Sequence, residues 1–192
     1  MINGKVLVIK WYGPLQQDDV QDWEKSQNAK FNLYLIGGKK KNAKTKIHYY
    51  IGKAERKQLS NRLKDKNHHI NDFSRVNEIW LGTIVNKKAT HYDVLDAEKM
   101  LTSYFASEGE LLVNIINRIL PNKSIYLINE WIHYWRNSEC LRLPKISIAN
   151  KMPDVIVYKK YNCLDEYKIF VSRKLKEMKL IIIVRYYLKN LT

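Results

Sequence analysis

Two short apolar runs, FNLYLIGG at 31–38 and HYYIG at 48–52, flank the basic stretch KKKNAKTKI. Each run has strand length and is rich in aromatic and β-branched residues. The segment between them is too charged to bury, so residues 31 to 52 read as a β-hairpin with a long exposed loop. A lone hairpin is marginal in water, so the rest of the chain must cover it. Helix-forming residues run from Ala54 to about Lys66, RVNEIWLGTIV is a third strand, and a helix spans Asp93 to Ser107, ending near Gly109. The order β–β–α–β–α predicts an α+β fold, an antiparallel sheet flanked by helices. KVLVIKW adds an N-terminal strand, and GPLQQDDVQDWEKSQ a short helix with Val20 and Trp23 inward. After LLVNIINRIL come SIYLINEWIHYW, DVIVYKKY, EYKIFVSRK and KLIIIVRYY, a β-rich C-terminal extension. DVIVYKKY is apolar on both faces, as a buried central strand is. The chain is expected to divide into residues 1–30, 31–120 and 121–192, both extensions packing on the middle part.

The charge is lopsided. With 34 basic against 19 acidic residues, the chain carries +15, which implies a polyanionic partner. Nucleic acid and anionic membrane are the candidates. The longest apolar run, LIIIV at 180–184, is far too short to span a bilayer. MINGKVLVIKWYG is broken by Lys10 and followed by no small-residue cleavage site, so it does not read as a secretory signal. Cys140 and Cys163 form no zinc-finger spacing and suit a reducing compartment. The expectation is a cytoplasmic protein with a nucleic-acid partner and no membrane.

One carboxylate breaks the pattern of the 93–107 helix. Val94, Ala97, Leu101, Tyr104 and Phe105 recur at helical spacing and define the buried stripe. Glu98 falls inside it, and a buried ionised Glu is costly unless compensated. It is either an edge residue paired with Lys or Arg, or a carboxylate aimed into a cleft to hold a hard divalent cation. Asn114, in the middle of LLVNII, must have its amide hydrogen-bonded if buried. It is a satisfied core amide or it orients a neighbouring group.

Taken in order, NLYLIG, YYIGKA, a basic helix with Arg62, a strand, DAEKMLTSYF and LLVN resemble the GIY-YIG nuclease superfamily, over roughly residues 31 to 118. The second motif stands intact as Tyr50-Ile51-Gly52. The first is reduced to its tyrosine, in Leu33-Tyr34-Leu35. The helix arginine matches Arg62, the metal-binding glutamate Glu98 and the late asparagine Asn114. The family often places a His or Tyr one turn after the arginine, where this chain has Lys66; His68 and His69 follow closely and could swing into that space. The resemblance implies a three-stranded antiparallel core flanked by helices, and cleavage of DNA with one divalent metal, Mg²⁺ or Mn²⁺, in an enzyme of the restriction or phage-defence type. Such an enzyme could pair as a homodimer to cut both strands.

The resemblance also assigns roles. Tyr34 takes the proton of the attacking water as a phenolate, which at an ordinary pKa of about 10 needs nearby cations such as Lys53, Arg62 or the metal. Tyr50 orients that water. Arg62 forks onto the non-bridging phosphate oxygens, Glu98 holds the metal against the leaving oxygen, and Asn114 fixes the glutamate or the water. Lys53 is a further phosphate contact. Lys39, Lys40, Lys41 and Lys44 of the hairpin loop, with Lys66, His68 and His69, would engage DNA without reading its sequence.

Each residue taken alone has a plainer reading: Tyr34 and Tyr50 as strand aromatics, Arg62 and the lysines as a solvated surface, His68 and His69 as a helix-end pair. A protein that keeps this fold and binds nucleic acid without cutting it is the corresponding alternative. A second motif competes as well. Asp154, Glu166 and Lys168 match the short pattern of PD-(D/E)xK nucleases, in which two carboxylates hold a metal and the lysine activates water. Its plainer reading is a hairpin packed on the catalytic part, with Trp131, Trp135 and Tyr158 as core or stacking surface.

Overall fold

The computed structural model describes residues 4–26, 32–43, 46–54, 58–113, 121–135, 138–140, 148, 152–160 and 168–172. In chain order the elements are β1 (Lys5–Leu15), α1 (Val20–Ser26), β2 (Asn32–Lys40), β3 (Ile47–Ala54), α2 (Leu59–Leu63), a 3₁₀ turn (His69–Asp72), β4 (Phe73–Ile84), α3 (His91–Ser107), β5 (Ile125–Trp135), β6 (Ser138–Cys140), β7 (Val155–Lys159) and β8 (Lys168–Ser172). The fold is α+β, with few helices on one large sheet.

Eight strands form that sheet in the order β3-β2-β4-β1-β5-β7-β8, with β6 beside β5. β2 lies between β3 and β4, antiparallel to both. The sheet does not stop there. β1 pairs antiparallel with β4 and parallel with β5, so the N-terminal strand joins the hairpin end to the C-terminal strands. The sheet is therefore larger and more mixed than a small antiparallel one. Along β1, Leu7, Ile9 and Trp11 alternate into the core under α3, and the register shift between Tyr12 and Leu15 turns Leu15 into the opposite core. β7, buried at Val155, Ile156, Val157 and Tyr158, sits between β5 and β8 as a central strand.

Alternation along β2 and β3 divides the core in two. Leu33, Leu35, Tyr49 and Ile51 face α3, whose Val94, Ala97, Leu101, Tyr104 and Phe105 are all buried. Tyr34, Ile36 and Tyr50 face the other way, against Val20 and Trp23 of α1, Leu59 and Leu63 of α2, and Ile70. Tyr34 is thus roofed by the two short helices and the 3₁₀ turn.

Two helical expectations are corrected. The strand at the N-terminus runs on through Gly13-Pro14, past a bulge between Tyr12 and Leu15, and α1 begins only at Val20. The helix expected from Ala54 to Lys66 is the five-residue α2. Ala54 instead closes β3 opposite Asn32, and Leu59 and Leu63 are the described apolar anchors of α2. Beyond Lys64 the chain turns, with the His68 N–H donating to Asp65 O and the Asn71 side chain to Asp65 O and Lys66 O.

Candidate active site

The hairpin register puts Tyr34 directly across from Gly52, and Ile36 across from Tyr50. Tyr34 and Tyr50 therefore stand on one face, their ring centres 5.8 Å apart. Gly52 is what lets them meet. A Cβ at this position would lie 2.4 Å from the Tyr34 hydroxyl and 2.8 Å from the Tyr50 ring. The glycine of Tyr50-Ile51-Gly52 is the floor over which the Tyr34 hydroxyl passes.

His68 completes the cluster. Its Nε2 is 2.7 Å from the Tyr34 hydroxyl, and its ring centre lies 5.5 Å from that of Tyr34 and 5.4 Å from that of Tyr50. Its Nδ1 accepts from the Ile70 N–H at 3.0 Å. A neutral imidazole with an accepting Nδ1 carries its proton on Nε2, so His68 donates to the Tyr34 oxygen. Burial, then the nearby Arg62 and His69, pulls the His68 pKa down to about 4, which keeps this neutral form at ordinary pH. The side chain expected to touch DNA is buried at 4% exposure. Lys66 is exposed in the turn after α2, and His68 occupies the space beside the tyrosine.

Arg62 joins from α2. Its guanidinium lies close enough for its charge to act on Tyr34, Tyr50 and His68. Even so, burial raises the Tyr34 pKa well above the ordinary phenol range, with the neighbouring Tyr50 adding to the rise and Arg62 only partly offsetting it. Tyr34 is therefore a neutral phenol in the free protein, and the phenolate is not its resting form. Tyr50 is likewise raised, first by burial; the neighbouring Tyr34 works against the rise and the charge of Glu98 adds to it.

Glu98 is 5% exposed within the buried stripe of α3. It lies on the α3 side of β3, the outermost strand of the sheet path, and its charge acts on Tyr50. The residues directly after α3 close on the outer edge of β3: the Tyr49 N–H donates to Leu111 O, and the Val113 N–H donates to Tyr49 O, each at 2.8 Å. Asn114 lies outside the described residues, as do Lys44 and Glu166.

The remaining candidates spread out. His69 is paired with Asp72 at 2.8 Å and sits with its ring 5.2 Å from Tyr50, on the open side of the cluster. Lys39, Lys40 and Lys41 are exposed at the tip of the hairpin. Lys53 is half-buried and, by alternation, projects to the α3 face, away from Tyr50. Behind the 3₁₀ turn, an open groove of about 440 Å³ is lined by Gln16, Gln17, Lys41, Asn71 and Ser74. Glu24 of α1 was missed by sequence reasoning. Its carboxylate accepts from the backbone N–H groups of Leu59 and Ser60 and from the Ser60 hydroxyl, at the start of the helix that carries Arg62.

Two members of the competing set, Asp154 and Lys168, lie apart. Val155 pairs with Ser172 and Lys159 with Lys168, so Asp154 and Lys168 mark opposite ends of the β7–β8 hairpin. At about 3.4 Å per residue, five residues separate them by about 17 Å, too far to share one metal and one water. Trp131 is a core residue, stacked on Trp11 with ring centres 5.4 Å apart, and Tyr158 is fully buried. The side chain of Trp135 lies outside what is described.

Among the described residues no three His, Cys, Asp or Glu side chains group as a metal cage. A single buried carboxylate suits Mg²⁺ or Mn²⁺, which are held through one or two carboxylates with waters and substrate phosphates; it does not suit the closed four-ligand sites of structural zinc. Among the described residues no helix is long and apolar enough to cross a membrane. Comparison with family models, with curated proteins and with solved structures returned no match to this chain.

Proposed function

We propose that this protein is a DNA endonuclease of the GIY-YIG type that hydrolyses phosphodiester bonds with one divalent metal. One observation carries the reading. Tyr34, Tyr50 and His68, drawn from two strands and a turn, meet in a single cluster, and the charges of Arg62 from α2 and of the buried Glu98 from α3 act on it. Nothing in core packing alone requires a guanidinium, a buried imidazole and a buried carboxylate around two phenols.

In this reading Arg62 forks onto the non-bridging oxygens of the scissile phosphate. Tyr34 and Tyr50 position the attacking water. His68 holds the Tyr34 oxygen through Nε2–H, which leaves the Tyr34 proton free to point to Tyr50 or to the water. A neutral Tyr34 becomes a base only if the bound phosphate and its counter-charges rearrange this proton. Mg²⁺ or Mn²⁺ at Glu98 would supply Lewis-acid neutralisation of the leaving 3′-oxygen. Asn114, next along the chain from the Val113 that pairs with β3, would steady the glutamate or the water. Lys39, Lys40, Lys41, Lys44, Lys66 and His69 would hold the backbone of the duplex by charge. A restriction or phage-defence role, a cytoplasmic location and a homodimer that cuts both strands belong to the same proposal.

The test is cleavage of plasmid and linear duplex DNA in Mg²⁺, Mn²⁺ or EDTA. Wild type is expected to cut only with metal. Glu98→Ala should lose at least about a thousandfold in rate while still binding DNA, as loss of a charge-stabilising group in a buried site does. Discrete bands would indicate a restriction-like enzyme. Equal cutting by Glu98→Ala would sink the assignment, and tight binding with no cutting under any metal would make the protein a nucleic-acid-binding module.

A further inference from the structure

We infer that Glu24, outside the family-like segment, is the residue that positions Arg62 for the phosphate. The inference rests on the nuclease reading above.

α2 has only five residues. Helix nucleation is unfavourable, and so short a helix does not persist by itself in water. Its first turn also exposes backbone N–H groups that no intrahelical carbonyl can satisfy. Gln58, at the cap position, makes no side-chain capping bond. Glu24 takes over that task from another element, thirty-five residues away. One carboxylate oxygen accepts from the Leu59 N–H; the other accepts from the Ser60 N–H at 3.0 Å and from the Ser60 hydroxyl at 2.6 Å. Ser60 is itself buried. A negative charge at the helix start also complements the backbone dipole.

Arg62 is the next turn of that helix, with its N–H donating to Gln58 O at 3.0 Å. The far end is tied as well, by the Lys64 ammonium donating to the Gln21 side chain at 3.1 Å. α1 thus grips α2 at both ends, and the axis from which Arg62 projects is set by α1 more than by α2 itself. Arg62 is solvent-exposed, so little packing against its own side chain fixes it. A misplaced guanidinium cannot fork onto two phosphate oxygens, and misplacements of about 1 Å cost on the order of a hundredfold in rate.

The test uses the full chain and the salt dependence of duplex-DNA affinity, a readout that exists whether or not the protein cuts. Each phosphate contact contributes a slope of about −0.9 in log K against log[salt]. Arg62→Ala should make the slope shallower by about one such contact. Glu24→Gln, which removes a negative charge and so by simple electrostatics would not weaken binding, should nonetheless make it shallower too, with faster amide exchange at Leu59 and Ser60. In the Arg62→Ala background Glu24→Gln should add nothing to the slope and less than about twofold to any loss of cleavage. The inference fails if Arg62→Ala changes the slope and Glu24→Gln does not, or if the two changes add. If Arg62→Ala leaves the slope untouched, the phosphate role of Arg62 fails and this inference with it. If Glu24→Ala does not fold, Glu24→Gln, which keeps one acceptor, carries the measurement.

Discussion

An added methyl at Gly52 would sit 2.4 Å from the Tyr34 hydroxyl, and neither strand can move aside without breaking its register with β2 or β4. Gly52→Ala is expected to cost about 1–3 kcal/mol, the usual range for overpacking, and to abolish any activity that needs the two phenols together; urea melts and the cleavage assay read the two effects separately. The His68 imidazole makes a pH prediction. The unfolded chain takes up a proton near pH 6.5 and the folded protein only near pH 4. Between these values the unfolded state binds the extra proton, so stability rises with pH through this window and is fully present above it. The change should be on the order of 3 kcal/mol, and His68→Asn should flatten it in denaturant melts run from pH 4 to 7. Tyr34 and Glu98 were legible because a motif and a broken stripe marked them. The part played by His68 was not, because nothing in a His-His pair says which ring is buried.

Among the elements, α3 and α2 are opposites. α3 has seventeen residues and an apolar stripe, so its body could be read from periodicity alone, while its start at His91, two residues before the expected Asp93, is set by the Thr90–Asp93 capping box. Asp93 accepts from the Thr90 N–H at 2.9 Å and pairs with Lys5 of β1 at 2.5 Å. Burial pushes its carboxyl up, but Lys5 and Thr90 outweigh burial and hold it below the usual carboxylate range. A depressed carboxylate stabilises the fold above its unfolded pKa and loses that contribution as pH falls through the folded value, a window below that of His68. Asp93→Ala should cost about 2–4 kcal/mol, since it removes both a helix cap and the partner of Lys5, and should remove the acid limb seen below about pH 4 in thermal melts. α2 has no stripe long enough to read, and its capping group comes from α1. Local sequence could not place it, and the expectation of a helix more than twice as long followed from propensity without tertiary contacts.

For the whole molecule, β1 is the joint. It carries Trp11, which stacks on Trp131 of β5 and donates its indole N–H to Asn129 at 2.9 Å, while Trp80 of β4 meets Trp131 edge-on at 5.1 Å. Asn129 in turn donates to the Pro153 carbonyl at 2.9 Å, tying the approach to β7 to the same core. A fragment ending at residue 120 would lose the parallel partner of β1 and uncover Trp11 and Trp80, leaving an unpaired apolar edge of the kind that aggregates. It is expected to be insoluble or to show red-shifted tryptophan emission and no cooperative melt.

What the sequence determined alone is the set of elements with strong period: the hairpin, the strands around Trp80 and Trp131, the buried β7, the long helix and its misplaced glutamate. Alternation and helical spacing are local properties, carried by neighbouring residues. What only the tertiary structure decided is which of these elements share one sheet, that β1 joins β4 to β5, that Glu24 starts the helix of Arg62, and that His68 holds Tyr34. These are contacts between residues tens of positions apart, and no local pattern encodes them because their energy exists only once the sheet has brought the two ends together.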